Sequence, residues 1–567
     1  MSAVASAPDW VARSNEHAAV LLDVMAATAP ETAGRYGVRS VDDQIVDLTP
    51  GFEERNLMSL RRAQHTFEER SAAEIDRRVR EDLEILVNAA ADGVRAIELS
   101  RRYELPYVDV AQLVFAGISA LLDEQIEPER RPAALHRLQR YAGLEGDRPP
   151  LTALAMKWTS SRLADRSLLG PVRAQLERDL ANLPTYLDGI AKLFAQYAIA
   201  GSEPAQAALR DQLDAYAAFV RNHVLPLGRD DFRLPAESYA FALHCSGIDA
   251  PPETLAKAAH AAFDAIQAEM QTLAPVVARE HGFAVTDYRD VIRALKTDQF
   301  VGEAILPAYR ARLAEIEAIV RRERIVTLPD RDAQIRLATD AESAQTPAPH
   351  MLAPPIVGNT GERGTFVLPL RLTSSAAALD DFTYAAATWT LTAHEARPGH
   401  ELQFSAMVER GVSLARSIFA FNSTNVEGWG LYSELLIEPF MPAAGRLVCL
   451  DYRLLRAARA FLDPELQLGA IAPDAARRIL LDDVVLSEAM ATSELQRYTF
   501  LIPGQAPSYF YGYAKMIELT AEVKCALGPR FIAQHYHDFV LAQGLLDPAQ
   551  LRAAVLSEFV AAERGPA

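Results

Sequence analysis

The chain has little cysteine, little lysine and no long uninterrupted apolar run. Its three cysteines, Cys245, Cys449 and Cys525, are odd in number, far apart and without C-x-x-C spacing, which excludes a disulfide scaffold and a cysteine-rich metal module. They read as reduced, mostly buried thiols. Only six of the 57 basic residues are lysine, and the abundance of arginine and alanine points to coding bias rather than to function. No segment approaches the ~18 consecutive apolar residues of a membrane span. The start, MSAVASAPDWVARSNEH, carries Asp9 and Glu16 where a signal peptide needs basic residues. A cytoplasmic protein with no membrane partner is expected. Cationic surface is scarce as well: 75 acidic residues against the 57 basic ones give a net charge of −18, a field that repels phosphate backbones. Nucleic acid is therefore not an expected partner.

What is present is material for a large core. Half of the 567 residues are hydrophobic and 23% are charged, the balance of a folded globular chain rather than a disordered one. From Ile45 to Arg324 apolar residues recur at spacings of three and four, as in Leu83, Leu86, Val87 and Ala90, or Leu176, Leu180, Leu183 and Leu187. This predicts a stack of helices, with Pro106, Pro171, Pro184, Pro226, Pro235 and Pro251-Pro252 marking helix ends. No fixed period repeats, which disfavours a solenoid. Between Ile325 and Leu372 the pattern changes: IVTL, QIRLA and GTFVLPL are β-prone runs separated by DAESAQTPAPH and VGNTGERG, and a small inserted sheet is expected there. GERG, Gly361 to Gly364, is too short and too β-flanked for a phosphate loop and reads as a turn. Helical spacing resumes at Asp380-Asp381, read as an N-cap pair, and runs to about Glu563. The expected division is an N-terminal extension over 1–44, a helical lobe over 45–324 and a catalytic lobe over 325–567, with the sheet at 325–372 and helices at 373–567.

The segment TAHEARPGHELQ contains His394, Glu395 and His400. In H-E-x-x-H two histidines four apart differ by about 40° around a helix, so both imidazoles reach one metal and the Glu faces its water. Here the spacing is six, about 240°, and an unbroken helix would point His400 away from His394. Pro398 removes an amide donor and Gly399 permits unusual dihedrals, so a break at that point brings His400 back. The alternative is two capping or core histidines near a helix end. Glu427, in NVEGWGLYSELL on the following helix, stands where a third ligand would be needed, and two imidazoles with one carboxylate suit a single zinc ion with an open fourth position.

These motifs carry a resemblance. His394-Glu395 through Pro398-Gly399-His400 with Leu402-Gln403, then E-G-W-x-L-Y at Glu427 to Tyr432, then R-Y and P-G-Q-A-x-S-Y from Arg497 to Tyr509, and the ending HYHDFVLAQGLL, are similar to the bacterial family called domain of unknown function 885. The resemblance runs from Asp47 to the C-terminus. It implies a mainly α, two-lobed, gluzincin-like metallohydrolase, similar to the thimet oligopeptidase and carboxypeptidase Taq families, with a small β-sheet beside the site and zinc on His394, His400 and Glu427. Two positions depart from the family pattern: Glu401 stands where a His usually follows the second motif His, and DPELQ puts Gln467 in a second His place.

Four further roles are expected. Glu395 is the general base and proton carrier. Tyr509, in SYFYGYAK with Tyr511 and Tyr513, is an oxyanion donor, against a reading as core packing. Arg497 holds a substrate carboxylate, against a structural salt bridge. His537 matches a family position and is expected to bind substrate or orient a ligand, whereas His535 is a surface residue. The substrate bond is an amide of a short peptide or peptide-like molecule, lying along the edge strand expected near Gly364 to Leu370. The alternatives are a non-peptide amide or ester, or a non-catalytic helical binding protein. Oligomeric state is open.

Overall fold

Local signals and burial together account for the helices. In the computed structural model, which describes residues 8–369 and 379–565, Asp76 caps a helix at Arg77–Tyr103 by accepting a hydrogen bond from the Arg78 amide. Arg101 and Arg102 sit in its last turn, where the helix dipole favours cations. Its buried residues Val79, Leu83, Leu86 and Ala90 recur at three and four. They pack on Ala63 and Phe67 of helix Phe52–Ala73 and on Ala18 and Leu21 of helix Asp9–Thr28. Residues 8–44 therefore contribute side chains to a shared core. Each such Leu or Phe stabilises the fold by ~1.5–3 kcal/mol relative to exposure, and Phe67→Ala would remove the centre of this contact.

A second core is built on Leu138, Leu151, Leu176, Ile190 and Leu213, with Ala341 packed into it from the short helix of the inserted segment. Pro184 does not end a helix as expected but lies inside the one at Arg173–Gln196. The missing amide and ring clash cost about 3 kcal/mol. Burial of Leu176, Leu183, Tyr186, Leu187, Ile190 and Phe194 on the same helix outweighs that cost.

The inserted sheet is present with different strands from those expected. Its members are β1 (Gln334–Leu337), β2 (His350–Leu352) and β3 (Thr365–Leu368), in the order β1-β3-β2. β3 runs parallel to β1 and antiparallel to β2. All four β3 residues are buried, and β3 is the central strand rather than an edge, because an unbroken apolar run suits a strand covered on both faces. The expected edge at Gly364 to Leu370 is thus corrected to β2, and Leu370 itself, with the rest of 370–378, lies outside the described residues. IVTL forms no strand. Arg324 adopts a left-handed conformation and the Ile325 amide donates to the Val320 carbonyl, so this segment closes helix Ile305–Glu323 in a Schellman arrangement. DAESAQTPAPH holds a short helix, Asp340–Gln345, behind a capping box of Thr339 and Glu342.

Asp380-Asp381 caps no helix; the next one begins at Ala387. Asp381 is buried and accepts from Lys296 Nζ at 2.7 Å and from the Ser487 amide at 2.9 Å, long-range partners that displace the capping role. Of the cysteines only Cys449 is buried; Cys245 and Cys525 are exposed, each at the solvent-facing side of a helix, and all three are free. No helix among the described residues is long and apolar enough to cross a membrane.

Candidate metal centre

The helix that carries His394 ends as the prolyl-glycine pair suggests. Ala387–Leu391 continues into a wide turn at Thr392–Ala396; Arg397 is then extended, the Arg397–Pro398 peptide is cis, and a new helix starts at His400 and runs to Glu409. Glycine is required at 399 by proximity: a Cβ there would lie 1.8 Å from the His394 carbonyl oxygen. The break is held from outside. Trp429 Nε1 donates to the Pro398 carbonyl at 3.0 Å. The fully buried Arg397 donates to Glu401 at 2.7 Å, to Glu317, and to the Arg331 carbonyl at 2.8 Å.

On the next helix, Ser423–Ile437, Glu427 faces both imidazoles. Its Oε2 lies 3.3 Å from His394 Nε2 and 3.4 Å from His400 Nε2, and the three ligand atoms are all within 4.8 Å of one another. Donors about 2.0–2.1 Å from one tetrahedral ion are separated by about 3.3–3.4 Å. Two of the three edges have that length, so the donor set fits zinc in chemistry and in spacing. The rings of His394 and His400 meet nearly at right angles, 83°, with centroids 4.6 Å apart. Gly430 makes room for this: a Cβ there would lie 2.5 Å from His394 Cε1. His400 Nδ1 is buried without a hydrogen-bond partner among the described residues.

His394 is oriented from behind by groups that the motif reading missed. Its Nδ1 donates to Glu434 at 2.7 Å; Glu434 also accepts from Thr390 Oγ1 at 2.5 Å and from Arg456 at 3.4 Å. A carboxylate on the distal imidazole nitrogen fixes tautomer and ring plane and strengthens the ligand. Glu434 follows Glu427 by seven residues, nearly two turns, so both carboxylates share one helix face; that spacing was the available signal. Burial lowers the His394 pKa, yet hydrogen bonds to Glu427 and Glu434 outweigh it and raise it to about 9. Burial acts against the Glu427 carboxylate, but the two imidazoles hold it well below the usual range. Glu434 is likewise lowered, by Arg456 and His394, against burial.

The other expected site residues divide. Glu395 is buried beside the cluster in sequence and accepts no hydrogen bond among the described residues. The Tyr509 ring lies parallel to that of His394, 15° between planes and 6.4 Å between centroids, and its hydroxyl accepts from Arg497 at 2.8 Å. The register comes from a glycine crossing: Gly512 on helix Ser508–Leu527 meets Gly428, and a Cβ at Gly512 would come within 2.0 Å of the Thr424 carbonyl.

His537 does not join the group. Its Nδ1 donates to the Ile325 carbonyl at 2.7 Å and its Nε2 accepts from Tyr432 at 3.0 Å, so both nitrogens are engaged in the core, where the ring packs on Trp429. In place of the expected substrate contact, His537 braces the helix that carries Glu427. Glu401 binds Arg397 and Arg331, each at 2.7 Å. Gln467 bridges the Leu234 amide and the Tyr498 carbonyl at 2.9 and 2.8 Å. Tyr511 bonds Asp249, and Tyr513 packs on Arg453. His535 is exposed, as expected.

A family model described as bacterial protein of unknown function (DUF885) matches residues 30–555. No curated protein matches the chain. Among solved structures, "the putative lipoprotein from Colwellia psychrerythraea" is similar at TM-score 0.74 and 17% identity, over 97% of this chain and 99% of that one. A "putative lipoprotein of unknown function from Shewanella oneidensis" is similar at TM-score 0.69 and 18% identity, over 97% of this chain and all of the other. At these identities the likeness speaks for the fold alone.

Proposed function

The chain belongs to the bacterial DUF885 family, and from that premise we propose that it is a zinc-dependent hydrolase of amide bonds in short peptides or peptide-like molecules. The observation that carries the reading is the Glu427 oxygen at 3.3 and 3.4 Å from two imidazole nitrogens, the edge lengths of one tetrahedral ion. A zinc ion there would lower the pKa of a coordinated water and polarise a carbonyl. The protein groups then have distinct tasks. Glu395, adjacent in sequence to a proposed ligand and without a hydrogen-bond partner among the described residues, takes a proton from the attacking water and delivers it to the leaving nitrogen. Tyr509, whose oxygen already accepts from Arg497, has its own O–H left to donate to the carbonyl oxygen as charge develops there. Glu434 keeps His394 in the tautomer that presents Nε2.

The accompanying architecture is a gluzincin-like pair of helical lobes with the site between them. Support comes from the sheet: β2, its antiparallel edge, approaches the His394 turn, and edge main-chain groups are suited to aligning an extended substrate. The two departures from the family pattern, Glu401 and Gln467, are engaged in internal hydrogen bonds, which leaves no observation favouring a different substrate chemistry. A cytoplasmic location belongs to the proposal too, and cell fractionation tests it.

The test is zinc content with turnover. Purified protein should hold one zinc per chain and cleave members of a peptide and N-acyl-amino-acid library; chelation should abolish cleavage and zinc restore it. Zinc at full occupancy with no member cleaved would favour a binding protein, and absence of zinc affinity would remove the metal reading.

A further inference from the structure

Beside the candidate centre lies a group of three arginines, of which only Arg459 has a carboxylate within 3 Å. Arg459 forms a bidentate pair with Glu494, at 2.8 and 2.6 Å, and Glu494 also accepts from Tyr498. Arg456 donates Nη1 to the Tyr452 carbonyl at 3.1 Å and reaches a carboxylate only at 3.4 Å, on Glu434, which is already shared with His394. Arg497 donates Nε and Nη2 to the neutral Gln505 and Nη2 to Tyr509, and the nearest carboxylate oxygen, on Glu494, is 3.9 Å from its Nη1. Among the described residues, Nη1 of Arg497 has no acceptor. All three guanidinium groups lie within 6 Å of the Tyr509 ring centre. Arg497 thus has an ion pair at 3.9 Å, too long for a hydrogen bond, and a largely buried guanidinium gains from a closer anionic partner. The side chain of Arg497 retains 19% exposure, so an incoming group can reach it.

We infer that Arg497 anchors the free carboxylate of the substrate, which makes the substrate class peptides and N-acyl amino acids cleaved close to an open C-terminus. This rests on the hydrolase reading above. Three features of the arrangement carry it. Gln505 and Tyr509 hold the guanidinium plane from one side, leaving the Nη1 edge free for a planar acid. Gln505 is itself fixed by donating to Ser423 at 2.6 Å, and Ser508 donates to the same hydroxyl at 2.7 Å, so the anchor is preorganised. The guanidinium carbon is 5.1 Å from the Tyr509 ring centre, and that ring is 6.4 Å from His394. At about 3.3–3.6 Å per extended residue, one to three residues bridge the anchor and the ligands. The enzyme would therefore release one residue or a very short fragment from the C-terminal side.

The probes are N-acetyl di- and tripeptides with varied C-terminal residues, each made as the free acid and as the C-terminal amide. Binding is measured by calorimetry on the full chain carrying Glu395→Gln, with and without added zinc. A hydrogen-bonded charge pair of this kind corresponds to about 10- to 100-fold in affinity, so acids should bind that much more tightly than their amides. Arg497→Gln should bring the ratio to near one, and Arg497→Lys should leave an intermediate preference because it keeps the charge but not the fork. Gln505→Glu, nearly isosteric, supplies Arg497 with an internal carboxylate and should weaken acid binding by tenfold or more even if Arg497→Gln fails to fold. An acid-to-amide ratio of one throughout, no binding by any acid, or a preference that survives Gln505→Glu overturns the anchor. Zinc-dependent cleavage of amides and acids alike would overturn it while leaving the hydrolase reading intact. Acid preference in a protein without zinc affinity or turnover would do the reverse.

Discussion

Glu434 accepts the Nδ1 proton of His394 at 2.7 Å, from the same helix that places Glu427 3.3 Å from Nε2 of the same ring. One helix thus supplies both the carboxylate that faces the two imidazoles and the carboxylate that orients one of them, and the arrangement depends on the seven-residue spacing between the two glutamates.

Glu434→Gln keeps the size and an acceptor but removes the charge behind His394. Zinc affinity, measured by competition with a chromophoric chelator, should fall about 10- to 100-fold, and Glu434→Ala should fall further. Unchanged affinity in both variants would mean that the ring is held by packing alone.

Glu395→Gln and Glu427→Ala separate proton transfer from ligation. The first should keep full zinc and lose about 10² to 10⁴ in turnover; the second should lose zinc and turnover together, because one of three protein ligands is gone. Metal content and hydrolysis are read on the same preparations. Full activity in Glu395→Gln would remove its assigned role.

Gly399→Ala tests the break itself. The added carbon would sit 1.8 Å from the His394 carbonyl oxygen, so the turn must open and His400 must move. Overpacking of this kind destabilises by about 1–3 kcal/mol. Helical circular dichroism should be retained while zinc affinity drops at least 100-fold. A variant binding zinc as the parent does would show that the two histidines do not depend on this contact.

His537 gives a prediction in pH. Burial pushes its imidazole down to about 4, from an ordinary value near 6.5. Because the unfolded chain takes up the proton first, stability is full above about pH 6.5 and is lost as pH falls toward 4. Between pH 7 and 5 the loss is about 2 kcal/mol. His537→Phe should be less stable at pH 7, where two hydrogen bonds are gone, yet show a flatter dependence in urea unfolding over the same range. An equally steep dependence in the variant would assign the pH sensitivity to other groups.

Much of the site was legible because its parts are local. Pro398-Gly399 announced a break, and a break was the only way for His394 and His400, six apart, to face one point. The roles of isolated polar residues were less legible. His537 occupies a motif position, yet Ile325, more than two hundred residues earlier, takes its Nδ1 proton. β3 read as an edge because nothing in GTFVLPL says that QIRL and HML lie on either side of it.

By itself the sequence determined the helical class, through apolar spacing, and the three donor residues with their break, through residue chemistry and backbone preference that act over a few positions. Only the tertiary structure decided which carboxylate stands behind which cation: Glu434 behind His394, Glu401 between Arg397 and Arg331, and, among the described residues, none within hydrogen-bond reach of Arg497. The reason is physical. Helix propensity and turn geometry are set by neighbours along the chain, whereas a charge's partner is set by distance in space, and the partners here are brought together from different helices by the packing of Gly428 on Gly512 and of Gly430 against His394.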